Sequence, residues 1–188
     1  EWTEGREIYQ RAGFEFVNLD FNMSAQPLAA ENGTNSLPLV WLSKTKPSFV
    51  INGFHIEDSR MMLDSSCRAR LPNRFWDKVI EEHCASYADG VACVLSRDNK
   101  HLVGLISCFG DQSSLDLFLI AVHPEYQSLG VGNQLMAFVG NKALTDGLSL
   151  KTQVLATNTR AMNFYSKWGF RIDSGDLVMH RWRKEVCK

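Results

Sequence analysis

The six residues Gln127-Ser128-Leu129-Gly130-Val131-Gly132 have the types and spacing of a turn that could hold an anion. They follow a continuous apolar run, 117–122, of buried-strand length, which Pro124 ends. Apolar Val131, Leu135, Phe138 and Val139 then recur at helical spacing. A helix start carries unpaired N–H groups and the positive end of the helix dipole, so it attracts anions. Gly130 and Gly132 lack a Cβ and let a phosphate approach the backbone. The turn has no lysine, and Leu135 stands where Gly-x-Gly-x-x-Gly would need its third glycine, so a P-loop triphosphate site is disfavoured. An ordinary strand-to-helix turn with two incidental glycines is the competing reading. No nucleophile triad is legible, because His55, His83, His101, His123 and His180 share no motif.

The elements needed to position such a turn can be read along the chain. Thr3–Ala12 reads as a helix ended by Gly13. Phe14, Phe16, Leu19 and Phe21 suggest a strand whose alternation slips once, 26–36 a loop, and 37–42 a strand. Residues 74–87 suggest a helix capped by Asn73. Strands at 91–96 and 102–109 are joined by the turn residues Asp98-Asn99-Lys100. After the central strand come a helix to about Gly147, a strand at 150–157, a helix at 160–168, and two short strands at 170–172 and 177–183. This order predicts an α/β fold: a mixed, mostly antiparallel sheet with helices on both faces.

The opening repeats the close. Ile8-Tyr9-Gln10-Arg11-Ala12-Gly13-Phe14 and Phe164-Tyr165-Ser166-Lys167-Trp168-Gly169-Phe170 share the pattern apolar, Tyr, x, basic, x, Gly, Phe. Any helix returning to a strand through glycine could look like this. The sharper reading makes residues 1–45 a partial N-terminal appendage, the tail of a degenerate second copy whose front is missing from this chain. Lys44-Thr45-Lys46-Pro47 would be the junction to a main domain over 46–188.

The 188 residues, 45% hydrophobic and 22% charged, suit one domain with enough apolar material for a core. A net charge of −1 offers no broad field for nucleic acid or anionic lipid. No apolar run approaches the ~20 residues that span a membrane. There is no initiator methionine, which suggests a truncated chain, and no leader peptide is legible. Cys67, Cys84, Cys93, Cys108 and Cys187 are odd in number and lack Cys-x-x-Cys spacing. Reduced thiols in a cytoplasmic protein without a metal site are therefore expected.

Gln127-x-x-Gly130-x-Gly132 after an apolar strand, then Asn158-x-x-Ala161-x-x-Phe164-Tyr165-x-x-x-Gly169-Phe170 one helix and one strand later, resembles the GNAT superfamily of acyl-CoA-dependent N-acyltransferases. The resemblance covers roughly 48–183. It implies the GNAT-like fold, acetyl-CoA as co-substrate, and transfer of the acetyl group to a primary amine. It implies that backbone groups of Leu119, Ile120, Ala121 and Val122 bind the pantetheine arm. The turn Gln127, Ser128, Leu129, Gly130, Val131 and Gly132 would hold the pyrophosphate. Ser128 and Leu129 replace basic pairs often found there, which removes a phosphate-pairing cation. Tyr165 matches the family's general acid: a phenol with a pKa near ~10 is protonated at neutral pH and can donate to the leaving thiolate. Asn158 matches a cofactor contact and also suits an N-cap. Asp111, Asp116, His123 and Glu125 flank the central strand, and none is singled out as the base.

The segments His55-Ile56-Glu57-Asp58-Ser59-Arg60, 73–81 and 87–91 are similar to TDP-fucosamine acetyltransferases, which implies a nucleotide-linked amino sugar as the small-molecule acceptor. His55, Asp58 and Arg60 are the acceptor candidates, with Arg60 suited to pair a phosphate bidentately. Two alternatives stay open: a protein, polyamine or metabolite amine as acceptor, and a non-catalytic coenzyme A-binding module. Edge strands near the C-terminus leave room for a homodimer by strand pairing.

Overall fold

The structure is a computed structural model that describes residues 2–30, 36–42 and 90–180. Its elements are α1 (Trp2–Arg11), β1 (Glu15–Ala25), β2 (Leu39–Leu42), β3 (Gly90–Leu95), β4 (Leu102–Gly110), β5 (Ser114–Val122), α2 (Val131–Asp146), β6 (Ser149–Leu155), α3 (Thr159–Lys167) and β7 (Arg171–His180). A 3₁₀ turn, Pro124–Tyr126, links β5 to the glycine turn. Among the described residues the strands form one mixed sheet in the order β2-β3-β4-β5-β6-β1-β7, antiparallel except between β5 and β6. The expected fold class is therefore present.

Strands β3 and β4 are buried along almost their whole length, as continuous apolar runs should be. Helix α2 packs across the sheet with Val131, Leu135, Met136, Val139 and Ala143 buried. Its start lies tight against β4: a Cβ at Gly104 would come within 2.5 Å of Val131, so the close approach requires glycine there. Phe138 extends the core to Trp41 on β2, ring centroids 6.1 Å apart. Two amide side chains on α2 also clasp the segment that precedes β2. Gln134 accepts from the Leu37 N–H and donates to its carbonyl, and Asn141 does the same for Ala30.

One part of the sheet differs from the expectation. The two final strands are one: β7 runs through Ser174 and Gly175 because β1 pairs with it along its length. The sequence break at Ser174-Gly175 is absorbed inside a ladder, where Gly175 faces Phe21. The N-terminal strand β1 belongs to the same sheet. It is inserted between β6 and β7, pairing antiparallel with both. The slip in its alternation coincides with a register shift between Phe16 and Asn18. The segments 44–47 and 74–87 lie outside the described residues.

Candidate active site

The site is built where β5 and β6 part. They pair from Ser114↔Ser149 to Leu117↔Thr152 and no further. Beyond that point β5 stays with β4 as far as Val122, while β6 stays with β1 as far as Leu155, so each strand is led away by its outer neighbour. A bulge at Phe118 marks the departure, because the β4–β5 register slips between Ser107/Cys108 and Leu119/Leu117. Leu119, Ile120, Ala121 and Val122 are thus paired to β4 on one side and have no β6 partner on the other. One carbonyl there is engaged: the Gln127 side chain donates to Val122 O at 3.2 Å.

The closed end of the fork is held by Thr152, whose buried hydroxyl donates to Leu117 O at 3.0 Å. The Tyr165 hydroxyl interacts with Thr152. Tyr165 lies on α3 with only 5% of its surface exposed, its ring 5.2 Å from Phe170 and 5.6 Å from Phe164. Burial pushes its pKa above the ordinary tyrosine value, partly opposed by Thr152, so it keeps its proton throughout the neutral range.

The glycine turn begins helix α2. Gly130 is the N-cap residue at φ 86°, and among the described residues no side-chain hydrogen bond caps the helix. The left-handed backbone alone calls for glycine, because a Cβ there would touch nothing within 4 Å. Ser128 is also left-handed at φ 63°, and Leu129 is 71% exposed. At Gly132 a Cβ would meet Phe164 at 3.5 Å, an ordinary contact, so packing does not demand glycine there. The first N–H groups of a helix lack intrahelical partners, so this start can receive an anion.

Sequence reasoning missed Arg160. Its guanidinium donates to Gln127 Oε1 at 3.1 Å, which brings a cation to the turn that lacks one of its own. The signal was present in Asn158-Thr159-Arg160, but its proximity to Gln127 depends on how the fork places α3. Asn158 is the N-cap of α3, its side chain accepting from the Ala161 N–H at 3.0 Å. Trp168 donates to Asn133 Oδ1 at 3.4 Å and ties α3 to the first turn of α2.

The titratable groups near β5 separate by environment. Asp111 accepts from Ser113 N, Ser113 Oγ and Ser114 N, and these bonds lower its pKa to about 2. It is a turn-holding carboxylate. His123 Nδ1 accepts from Glu125 N at 3.3 Å, and its ring edge meets Tyr126, which makes it the cap of the 3₁₀ turn. Desolvation raises the Asp116 pKa from its ordinary value, against the pull of Lys151. It moves in the direction a general base near neutrality requires. Beside it, Phe109 and Phe118 form a half-open aromatic pair with centroids 6.1 Å apart. His55, Asp58 and Arg60 lie outside the described residues. Among the described residues, no group of three His, Cys, Asp or Glu is placed to hold a metal ion. Likewise, no helix there is long and apolar enough to cross a membrane.

Comparison with known proteins bears on the whole arrangement. Residues 88–172, a little under half of the chain, match the family model described as the acetyltransferase (GNAT) domain. No curated protein matches the chain significantly. Among solved structures, a tandem GNAT protein from the clavulanic acid biosynthesis pathway superposes with a TM-score of 0.63 at 14% identity, over 94% of this chain and 57% of that one. A GCN5-related N-acetyltransferase from Sphaerobacter thermophilus gives 0.58 at 13% identity, over 94% and 55%. A GNAT family acetyltransferase from Elizabethkingia anophelis, solved with acetyl-CoA bound, gives 0.51 at 18% identity, over 75% and 80%. The chain spans little more than half the length of the first two. Residues 88–172 thus match the GNAT acetyltransferase domain model, and the described chain has the fold of solved GNAT acetyltransferases.

Proposed function

We propose that this chain moves an acetyl group from acetyl-CoA to a primary amine by direct attack of the amine on the thioester. The observation that carries the reading is the fork between β5 and β6 with the uncapped start of α2 beside it. Acetyl-CoA supplies an activated acetyl group and a thiolate leaving group. The chain's own residues do the rest. Backbone groups of Leu119–Val122 hold the pantetheine arm along the open edge of β5. The N–H groups of 128–132 bind the pyrophosphate, with Gln127 bracing the turn and Arg160 adding charge. A backbone N–H at the fork stabilises the developing oxyanion, and Tyr165 protonates the departing sulfur. Asn158 fixes the start of the helix that carries Tyr165.

The narrower acceptor is a nucleotide-linked amino sugar, held by His55, Asp58 and Arg60. Its support is the similarity of 55–60, 73–81 and 87–91 to amino-sugar acetyltransferases. A peptide, polyamine or metabolite amine is the second reading, favoured by the aromatic pair Phe109 and Phe118 next to Asp116, which suits many organic amines. Thiol release from acetyl-CoA with a panel of amines tests both. A nucleotide amino sugar should raise release far above hydrolysis, and the same sugar without its amine should not. Turnover of peptides or polyamines alone would select the second acceptor class. Binding of acetyl-CoA with no turnover of any amine would leave a coenzyme A-binding module.

A further inference from the structure

The pairing of β1 with β7 has an internal two-fold symmetry. Gly13 and Gly169 are 156 positions apart, and both end a helix at nearly the same left-handed φ, 83° and 82°. The same offset carries α1 onto α3 and β1 onto β7. Under it Asp20 becomes Asp176, and these two residues face each other in the ladder. Every other rung has its mirror. Leu19↔Leu177 answers Phe21↔Gly175, Asn18↔Val178 answers Asn22↔Ser174, Phe16↔Met179 answers Met23↔Ile172, and Glu15↔His180 answers Ser24↔Arg171. Even the irregularities correspond, since the residues the ladder skips, Val17 and Asp173, have the same separation. A shared helix-glycine-strand pattern alone would not fix the register. A contact in which each pair (i, j) recurs as (j, i) is the mark of two like units meeting across a two-fold axis.

Among the described residues the symmetry is filled on one side only. The outer neighbour of β1 is β6, whereas β7 is the last strand of the described sheet. Tyr165 and Phe170 are buried at 5% and 3%, while their mirrors differ: Tyr9 is 54% exposed and Phe14 is only half-buried. Ile8 beside Tyr9 is 67% exposed. We infer that the outer edge of β7 and the Ile8–Tyr9 face of α1 receive a second lobe of the same fold, joined to this one in a continuous sheet. Because β6 directly precedes α3 in the chain, its counterpart directly precedes α1. The occupant is therefore a strand upstream of Trp2 in the same polypeptide. It lies against Asp176–His180 as β6 lies against β1. A second copy of this chain does not fit, because its own β1 already fills the place beside its β6. The two lobes exchange their last strands.

The test is amide hydrogen exchange on the 188-residue chain and on the natural polypeptide that contains it, a readout independent of acetyl transfer. In the natural polypeptide, the β7 amides facing away from β1 and the amides of α1 should exchange at least ~10-fold more slowly. Ile8→Asp in that polypeptide should abolish the added protection, while β5 and β6 exchange as before. Equal exchange in both proteins would overturn the inference. So would unchanged protection in Ile8→Asp, or a natural polypeptide that adds no lobe before α1. Protection that appears in the 188-residue chain as its concentration rises would replace the upstream lobe by a second copy.

Discussion

Between Ser114 and Leu117, β5 lies hydrogen-bonded beside β6; from Leu119 to Val122 the same strand runs on without it. The closed half is ordinary structure. Asp111 ties its turn, Leu115 and Leu117 are buried, and Thr152 seals the last rung. The open half has the same apolar composition, but its backbone has no β6 partner, and the proposed function leaves that edge to acetyl-CoA. What separates them is one bulge at Phe118 and the different strands that hold β5 and β6 beyond it. Side-chain type says little about which half binds. The partners on the outer flanks decide it.

The comparison breaks first at Tyr165, which stands on Thr152 at the junction of the halves. Tyr165→Phe keeps the ring and removes the donor. Single-turnover acetylation at saturating acetyl-CoA should slow by roughly 100- to 10,000-fold, the usual worth of general acid catalysis. Acetyl-CoA affinity, measured by calorimetry, should hold, because the bond develops in the transition state. A rate within a few-fold of the parent would make Tyr165 a core residue only. Gly130→Val tests the open half alone. A β-branched residue at φ 86° costs about 1–2 kcal/mol of folding stability. It should also weaken acetyl-CoA by about tenfold or more in a protein that still melts cooperatively; unchanged affinity would remove the pyrophosphate from this turn.

Thr152→Val tests the closed half. It leaves the Leu117 carbonyl without its donor, so denaturant titration should show a loss of about 1–3 kcal/mol. If the fork is a unit, the chemical step slows as well, since the phenol loses its partner. Arg160→Ala should weaken acetyl-CoA by a smaller factor, roughly two- to fivefold, as expected for an exposed charge contact, and the difference should shrink in salt. The smallest effect is at Asp111. Its folded pKa of about 2 lies below the ordinary aspartate value of 3.8, so its contribution to stability is full above pH 3.8 and is lost as pH falls towards 2. Asp111→Asn should therefore flatten the acid limb of the stability curve in that window and leave acetyl transfer at neutral pH unchanged.

The glycine turn and the Tyr165 helix were legible because their signals are local. An apolar strand, a left-handed glycine and an amphipathic run need no distant partner to be recognised. The position of β1 was not legible, because nothing in 15–25 says that 150–155 and 171–180 lie on either side of it. The unity of β7 was missed for the same reason: Ser174-Gly175 is a turn signal that a long-range ladder overrides. Arg160 escaped notice because its role follows from the fork, and the fork follows from β1. The acceptor candidates His55, Asp58 and Arg60 belong to a stretch the described residues do not include.

The central place of β1 has a consequence for how the chain is made. Asn22 and its partner Ser174 are separated by 152 residues. At 5–20 residues per second, a ribosome delivers the second strand roughly 8–30 s after the first. Pairing between so distant segments is also slow to close. For most of that interval, until β6 emerges, an eleven-residue strand bearing Phe16, Leu19, Phe21 and Met23 waits without either of its neighbours. A nascent chain of this protein therefore has a long window in which β1 is available to chaperones or to pairing with the wrong strand. Synonymous changes that slow translation between β1 and β6 should lower its soluble yield without altering a single residue of the site.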